Sequence, residues 1–343
     1  MTSHLQILDK NITDEFKRKK ILITGGTGSI GLGLIKQLIK CKPKAIRILT
    51  NDENSIFEAR RIIGHNPSCI FFLGDVRDRE RLDLAIRDVD IVFHAAAMKH
   101  VDICEQNPFD AVKTNVIGTS NILEASLIEN ISKFILISTD KSTQPTSTLG
   151  ASKLLAERLT LNASAYRGSG KTIFSIVRFG NVIGSRGSVF QVFLEQTKRG
   201  IPLTVTDSNM TRFIMSISEA ASMILKVTHI TKDREIFILK MPSVRITDLA
   251  KSMIHVCSKR FSNEGNTSSI KISKSRERER FHELLITPDE IPFCHDIGVM
   301  YKISTERRSK NIPFTQFSSQ TATRISQEKL NKIINELLDE YLT

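Results

Sequence analysis

The sequence predicts an α/β fold, a doubly wound parallel sheet followed by a smaller C-terminal lobe, on three observations. Short apolar runs of strand length alternate with stretches of helical period, the first run enters a glycine-rich turn, and the regular alternation fades beyond about residue 185.

The first strand is residues 21–24 (ILIT), which runs into Gly25-Gly26-Thr27-Gly28-Ser29-Ile30-Gly31. A helix follows, because Leu32, Leu34, Ile35, Leu38 and Ile39 recur on one face. The next strands are residues 45–49 (AIRIL), 69–73 (CIFFL), 90–95 (DIVFHA), 133–138 (KFILIS) and 172–178 (TIFSIVR). Helical stretches at 79–89, 109–128 and 151–166 separate the later ones. Parallel strands need such crossovers, so helices should cover both faces of the sheet. Residues 18–185 are read as the first domain, with later segments returning to it. Residues 186–300 make up most of the smaller lobe, and 301–343 a C-terminal extension. That extension ends in a packing helix at 326–341, where Leu330, Ile333, Ile334, Leu337 and Leu338 keep helical spacing. Residues 262–269 (SNEGNTSS) read as a loop.

Composition narrows the function classes. No run approaches the roughly 18 apolar residues of a membrane span, and the polar, charge-mixed first twenty residues have no secretory apolar core. No membrane association and a cytoplasmic location are therefore expected. Cys41, Cys69, Cys104, Cys257 and Cys294 show no CxxC pairing, which predicts reduced thiols and no structural metal. The net charge of +12 invites a nucleic-acid reading. However, the densest basic stretch, residues 271–280 (KISKSRERER), alternates with Glu and lacks stacking aromatics until Phe281. No nucleic-acid partner is expected; that stretch reads either as a solvated charged face or as part of a diphosphate clamp.

Gly25-x-x-Gly28-x-x-Gly31 sits directly between a strand and a helix. There the glycines permit a tight turn, close backbone approach to a pyrophosphate and close helix–strand packing. The helix that follows directs its unpaired N–H groups at the phosphates. This is a Rossmann-type dinucleotide site, and Thr24 before the loop makes it resemble the extended short-chain dehydrogenase/reductase fingerprint. That resemblance places Gly25, Thr27, Gly28, Ser29, Ile30 and Gly31 on the cofactor. It adds Asp75 and Val76 beside adenine, Ala95 and Ala97 where the fourth strand ends, and Lys153 on the nicotinamide ribose. The cofactor is expected to be NAD or NADP. Thr50-Asn51-Asp52-Glu53 has no Arg at the end of the second strand, and its acidic pair slightly favours NAD.

The fifth strand runs into Ser138-Thr139-Asp140-Lys141, an acid and a base side by side at the crevice. Taken alone, this could be an ordinary polar turn. With Met98-Lys99-His100-Val101-Asp102, Lys113-Thr114-Asn115, Arg178-Phe-Gly-Asn181-Val-x-Gly184-Ser185-Arg186-Gly187-Ser188 and Met210-Thr211-Arg212-Phe213, it closely resembles one family. That family is the inverting UDP-N-acetylglucosamine 4,6-dehydratases, the soluble short form found in polysaccharide and nonulosonate biosynthesis. The resemblance implies a nucleotide-sugar substrate, a substrate-binding C-terminal lobe and a homo-oligomer. It also implies a redox-neutral reaction: C4 gives up a hydride, water leaves across C5–C6, and the hydride returns to C6 with inversion at C5. On this mapping Lys141 takes the C5 proton, Asp140 protonates the departing hydroxyl and Thr139 orients the sugar. Lys99, Asn181, Arg212, Arg276 and Glu279 fall on substrate-side positions.

One departure stands out. Leu149 occupies the tyrosine position of Tyr-x-x-x-Lys153, and none of Tyr166, Tyr301 and Tyr341 is placed to substitute. Leucine cannot accept a proton. The base for C4 oxidation is then Lys141, Asp140 or a water held by Thr139, and for Lys141 to serve, its pKa must be lowered by burial or neighbours. The alternatives are a nucleotide-sugar epimerase or reductase on the same scaffold, and a non-catalytic cofactor-binding relative.

Overall fold

The computed structural model describes residues 9–260, 269–273, 278–307 and 312–342. Six strands appear where the apolar runs place them: β1 (Lys20–Thr24), β2 (Ala45–Thr50), β3 (Cys69–Leu73), β4 (Ile91–His94), β5 (Lys133–Thr139) and β6 (Ile173–Phe179). The later elements are β7 (Asn181–Val182), β8 (Leu203–Val205), β9 (Thr211–Met215), β10 (Glu235–Leu239), β11 (Ser243–Arg245), β12 (Ile270–Ile272), β13 (Leu284–Ile286), β14 (Cys294–Asp296), β15 (Met300–Ile303) and β16 (Phe317–Ser318).

The central sheet has the order β14-β15-β10-β6-β5-β4-β1-β2-β3. Pairing is parallel from β3 across to β10, and antiparallel from β10 to β15 and β14. After β3 the chain crosses back over β1 to β4. This reversal opens a crevice at the carboxyl ends of β1 and β4, the place where doubly wound sheets bind ligands. Beyond residue 185 the sheet continues through β10, which the weakening alternation concealed. Its sequence, EIFIL, is buried at every position and so carries no two-residue period.

Two apolar clusters support this layout. The larger one fills both faces of the sheet. The second gathers Phe190, Phe193, Leu249 and Met253 against Leu330, Ile334 and Leu338 of the C-terminal helix Gln327–Leu342. The stretch read as a single helix at 109–128 is broken by a wide π-type turn at Lys113–Ile117. Its wider spacing seats buried Asn115, which accepts from the Met98 N–H (2.8 Å) and donates to the Met98 carbonyl (3.1 Å) and to Ser152 Oγ (3.0 Å). The loop after β4 is thereby tied to the helix Thr148–Asn162 that carries Lys153. The loop assigned to 262–269 lies outside the described residues up to 268.

Candidate active site

A cleft of about 810 Å³ runs along the carboxyl ends of the strands, from the glycine loop to the turn after β5. Its cofactor half is shaped by backbone. Gly25 has φ +63°, and a Cβ there would sit 2.7 Å from Ala96 Cα. A Cβ on Gly31 would run into the Gly26 carbonyl, so the helix Ser29–Leu38 packs against the loop with no room to spare. Gly28 precedes that helix without a side-chain cap, which leaves the first N–H groups facing the cleft. Thr27 lies in a buried hydroxyl chain, donating to Thr50 Oγ1 (2.9 Å) and accepting from Ser55 Oγ (2.8 Å).

Asp75 accepts from Asn51 Nδ2 (3.0 Å) and from the Arg77 guanidinium at 3.0 and 2.8 Å. Arg77 holds the Asp75 carboxyl below the usual range. Val76 packs under Gly118 and also lines the cleft, as do Ala95 and Ala97. His94, fully buried at the end of β4, is driven down to about 3 by burial, with Lys153 adding to the effect. It is a neutral brace: Thr24 donates to Nδ1 (2.6 Å), and Nε2 donates to Thr119 (3.0 Å), whose own hydroxyl is spent on the Asn115 carbonyl (2.7 Å).

Lys153 is buried and donates to the Ile137 carbonyl (2.7 Å). Burial pulls its ammonium down to about 8, against the opposing charge of Glu157. One turn earlier Leu149 lines the cleft, nearly buried beside Cys104, Ala111 and Met98. No tyrosine reaches this point: Tyr166 is 80% exposed, Tyr301 sits on β15, and Tyr341 bonds to Gln191 and the Gly184 carbonyl.

The acid–base half is built from side chains. Asp140 is wholly buried, and its Oδ1 accepts from Thr139 Oγ1 (3.0 Å) and Lys141 Nζ (2.9 Å). Thr139 and Lys141 line the cleft while Asp140 lies behind them, so a proton leaving Asp140 passes through one of those two neighbours. Burial raises the Asp140 carboxyl and the nearby Glu283 raises it further, with Lys141 opposing. Lys141 departs from the sequence-based requirement. Burial alone would lower it, but Asp140 and Glu283 outweigh burial and hold the ammonium above the ordinary lysine range. The site therefore favours the charged form of Lys141.

The substrate-side positions divide. Lys99 and Asn181 line the cleft. Lys99 Nζ donates to the Arg186 carbonyl (2.6 Å) and is lowered by burial and by the Arg186 charge. Arg212 lies deeper, in an adjoining apolar recess shared with Asn181, and pairs with Glu279 (3.4 Å) and Glu283 (3.7 Å). Glu279 is thus engaged with a protein cation, and Arg276 lies outside the described residues. From Arg278 to Leu284 the late segment is tied to the turn after β5 and to the helix Val101–Gln106. Arg278 pairs with Glu105 (2.6 Å), Arg280 donates to the Thr143 carbonyl (2.9 Å), and Thr143 donates to the Leu284 carbonyl (2.6 Å).

Three features escaped sequence reasoning. Glu283 contacts Lys141 (3.2 Å), and its one signal was a carboxylate four residues after Glu279. Arg178 and Glu157 form a buried ion pair (2.6 Å), extended to Glu290 (3.0 Å), and Ser138 and Ser142 on either side of Thr139–Lys141 donate to Glu157. Arg186 spans the cleft, its N–H on Ser29 Oγ (3.1 Å) and its guanidinium on Glu58 (3.1 Å). All five cysteines are free, and no described helix is long and apolar enough to cross a membrane.

Known proteins match this arrangement over most of the chain. The family described as polysaccharide biosynthesis protein matches residues 21–305. An uncharacterized membrane protein of Methanocaldococcus jannaschii is 46% identical over 96% of this chain and 98% of its own. The inverting UDP-N-acetylglucosamine 4,6-dehydratase of Campylobacter jejuni is 41% identical over 84% of each. A UDP-glucose 4-epimerase of Rickettsia akari is 34% identical over 93% of this chain and 96% of its own. Among solved structures, Pen from Bacillus thuringiensis superposes with a TM-score of 0.87 at 37% identity, covering 94% of this chain and 98% of that one. The chain belongs to the polysaccharide biosynthesis protein family, of the extended short-chain dehydrogenase/reductase type in which nucleotide-sugar dehydratases and epimerases are found.

Proposed function

We propose that this protein is a nucleotide-sugar 4,6-dehydratase that takes UDP-N-acetylglucosamine or a close analogue to a 4-keto-6-deoxy sugar with inversion at C5. The observation that carries the reading is the hydrogen-bonded Thr139–Asp140–Lys141 cluster at the end of β5, opening on the cofactor cleft. A simple 4-epimerisation needs no acid–base pair at C5 and C6.

The cradle fits a nicotinamide dinucleotide: Gly25 lets the loop lie against the Ala95–Ala96 backbone, a Cβ on Gly28 would meet only the Gly25 carbonyl, and helix N–H groups face the cleft. When bound, that group would supply the hydride acceptor for oxidation at C4 and the hydride donor for reduction at C6. NAD is the better fit, because Asn51 stands at the end of β2 and Arg77 already holds Asp75 in a two-point contact. Lys153 would hold the nicotinamide ribose.

Elimination needs a base and an acid together, and the 2.9 Å hydrogen bond from Lys141 to Asp140 can produce both. A proton moving from Nζ to Oδ1 gives a neutral amine and a carboxylic acid with no change in total charge. Lys141 then takes the C5 proton, and the C5–H electron pair becomes the C5–C6 double bond. The C6–O bond breaks and the hydroxyl leaves as water with the Asp140 proton, relayed through Thr139 or Lys141. Ammonium and carboxylate are restored. The proton later placed on C5 is balanced by the one released from the C4 hydroxyl.

The family also contains proteins named as epimerases, so the test must separate the two reactions. Incubation with UDP-N-acetylglucosamine and NAD or NADP, followed by mass spectrometry, should show a sugar nucleotide lighter by one water. Unchanged mass with altered stereochemistry at C4 would support the epimerase, and no change with several nucleotide sugars would remove the catalytic reading.

A further inference from the structure

The dehydratase reading uses Asp140 and Lys141 but leaves a third ionisable group in direct contact with Lys141. Glu283 is 3% exposed and lies just before β13. Its Oε1 is 3.2 Å from Lys141 Nζ and 3.7 Å from Arg212 Nε. Its backbone is fixed from behind: the Glu283 N–H donates to Ser319 Oγ (2.9 Å), and the Ser319 N–H donates to the Glu283 carbonyl (2.8 Å). Lys141 is therefore gripped from both sides, by Asp140 of its own turn and by Glu283 of the late segment. Asp140 Oδ2 and Glu283 Oε2 are both buried with no hydrogen-bond partner in this structure. Buried carboxylate oxygens of that kind are costly unless they serve a proton or a ligand.

We propose that Glu283 is a positioning residue for the elimination: a fixed anion that aims Lys141 into the cleft and sets the pH window in which Asp140 and Lys141 work as a pair. The inference rests on the dehydratase reading for the role of the pair, but not for the contact itself. Glu283 attracts the Lys141 ammonium and repels an Asp140 carboxylate, so it favours the protonated form of both. Arg212 from β9 acts on Lys141 in the opposite sense, and Arg280 also faces Glu283. Glu279 pairs with Arg212, and His282 stands beside Arg212 and bonds Thr211 (2.8 Å).

Removing the anion while keeping its shape should lower both proton affinities. In Glu283→Gln the acidic limb of kcat/KM, which reports the proton lost from the Lys141–Asp140 pair, moves to lower pH. The alkaline limb, which reports the last proton on that pair, moves the same way. The shift should be about one pH unit, the scale set by a neighbouring charge. Glu283→Asp keeps the charge and should restore part of it. A merely structural role would lower the height of the profile and leave its position unchanged.

The second readout needs no turnover. Acylation of Lys141 by acetic anhydride across pH, followed by peptide mass spectrometry, should show its midpoint lowered in Glu283→Gln relative to the unaltered protein. An unmoved midpoint in Glu283→Gln overturns the proposal, whether or not the unaltered protein removes water. An unaltered protein that removes no water overturns the dehydratase reading and leaves the acylation midpoint to judge Glu283.

Discussion

The turn after β1 and the turn after β5 face the same cleft from the carboxyl ends of their strands, yet they are built in opposite ways. The first is made by omission: glycines at 25 and 31 let backbone meet backbone, and the ligand-facing groups are main-chain N–H donors. The second is made by crowding, with Asp140, Lys141, Glu283 and Arg212 gathered from three separate stretches of chain into a largely buried cluster. A loop of the first kind is written in consecutive residues. A cluster of the second kind depends on where distant segments dock, and only its β5 end is written locally.

This contrast predicts different failures when each is altered. The largest effect is expected from Lys141→Ala, which removes the proposed base. Turnover should fall by about 10²–10⁴-fold, the range for general acid–base groups, while cofactor affinity measured by calorimetry stays near that of the unaltered protein. Retained turnover would take Lys141 out of the mechanism.

Next comes the support beneath the cluster. Arg178→Met strands Glu157 in the interior with only Ser138 and Ser142 as donors. Breaking a buried pair from one side costs roughly 3–5 kcal/mol, which urea denaturation should register as a lower midpoint.

A smaller effect belongs to the backbone-built turn. Gly25→Ala places a Cβ on a left-handed residue, at about 1–2 kcal/mol for the backbone alone, and pushes it toward Ala96. Weaker cofactor binding is expected, with little change in the pH profile.

The smallest effect is at the missing tyrosine. Leu149→Met conserves volume in the pocket formed with Cys104, Ala111 and Met98. It should cost less than about 1.5 kcal/mol in stability and change kcat only a few-fold. A large loss would give Leu149 a role beyond filling space.

The same contrast explains what could be read from the sequence. The six strands β1–β6 were legible because their apolar runs are bounded by turns and separated by helices. The glycine loop was legible because its spacing is itself the geometry. β10 was missed because burial of the whole strand erases the two-residue period. The helix at 109–128 hid a π-type turn because periodicity does not show where Asn115 must reach Met98. At the site, Thr139, Asp140 and Lys141 were found from their order along the chain. Glu283 is not legible because it contributes through a contact 142 residues away in sequence, and that same carboxylate helps hold Lys141 above the lowered pKa a lysine base requires.

The central claim is that this cluster moves the C5 proton while the hydride is taken and returned. The most direct test is to run the reaction with UDP-N-acetylglucosamine in deuterium oxide and locate the label by NMR. The account predicts solvent deuterium at C5 of a 4-keto-6-deoxy product, with the hydrogen from C4 carried to C6 and no net accumulation of reduced cofactor. A turned-over sugar with no deuterium at C5 would contradict it.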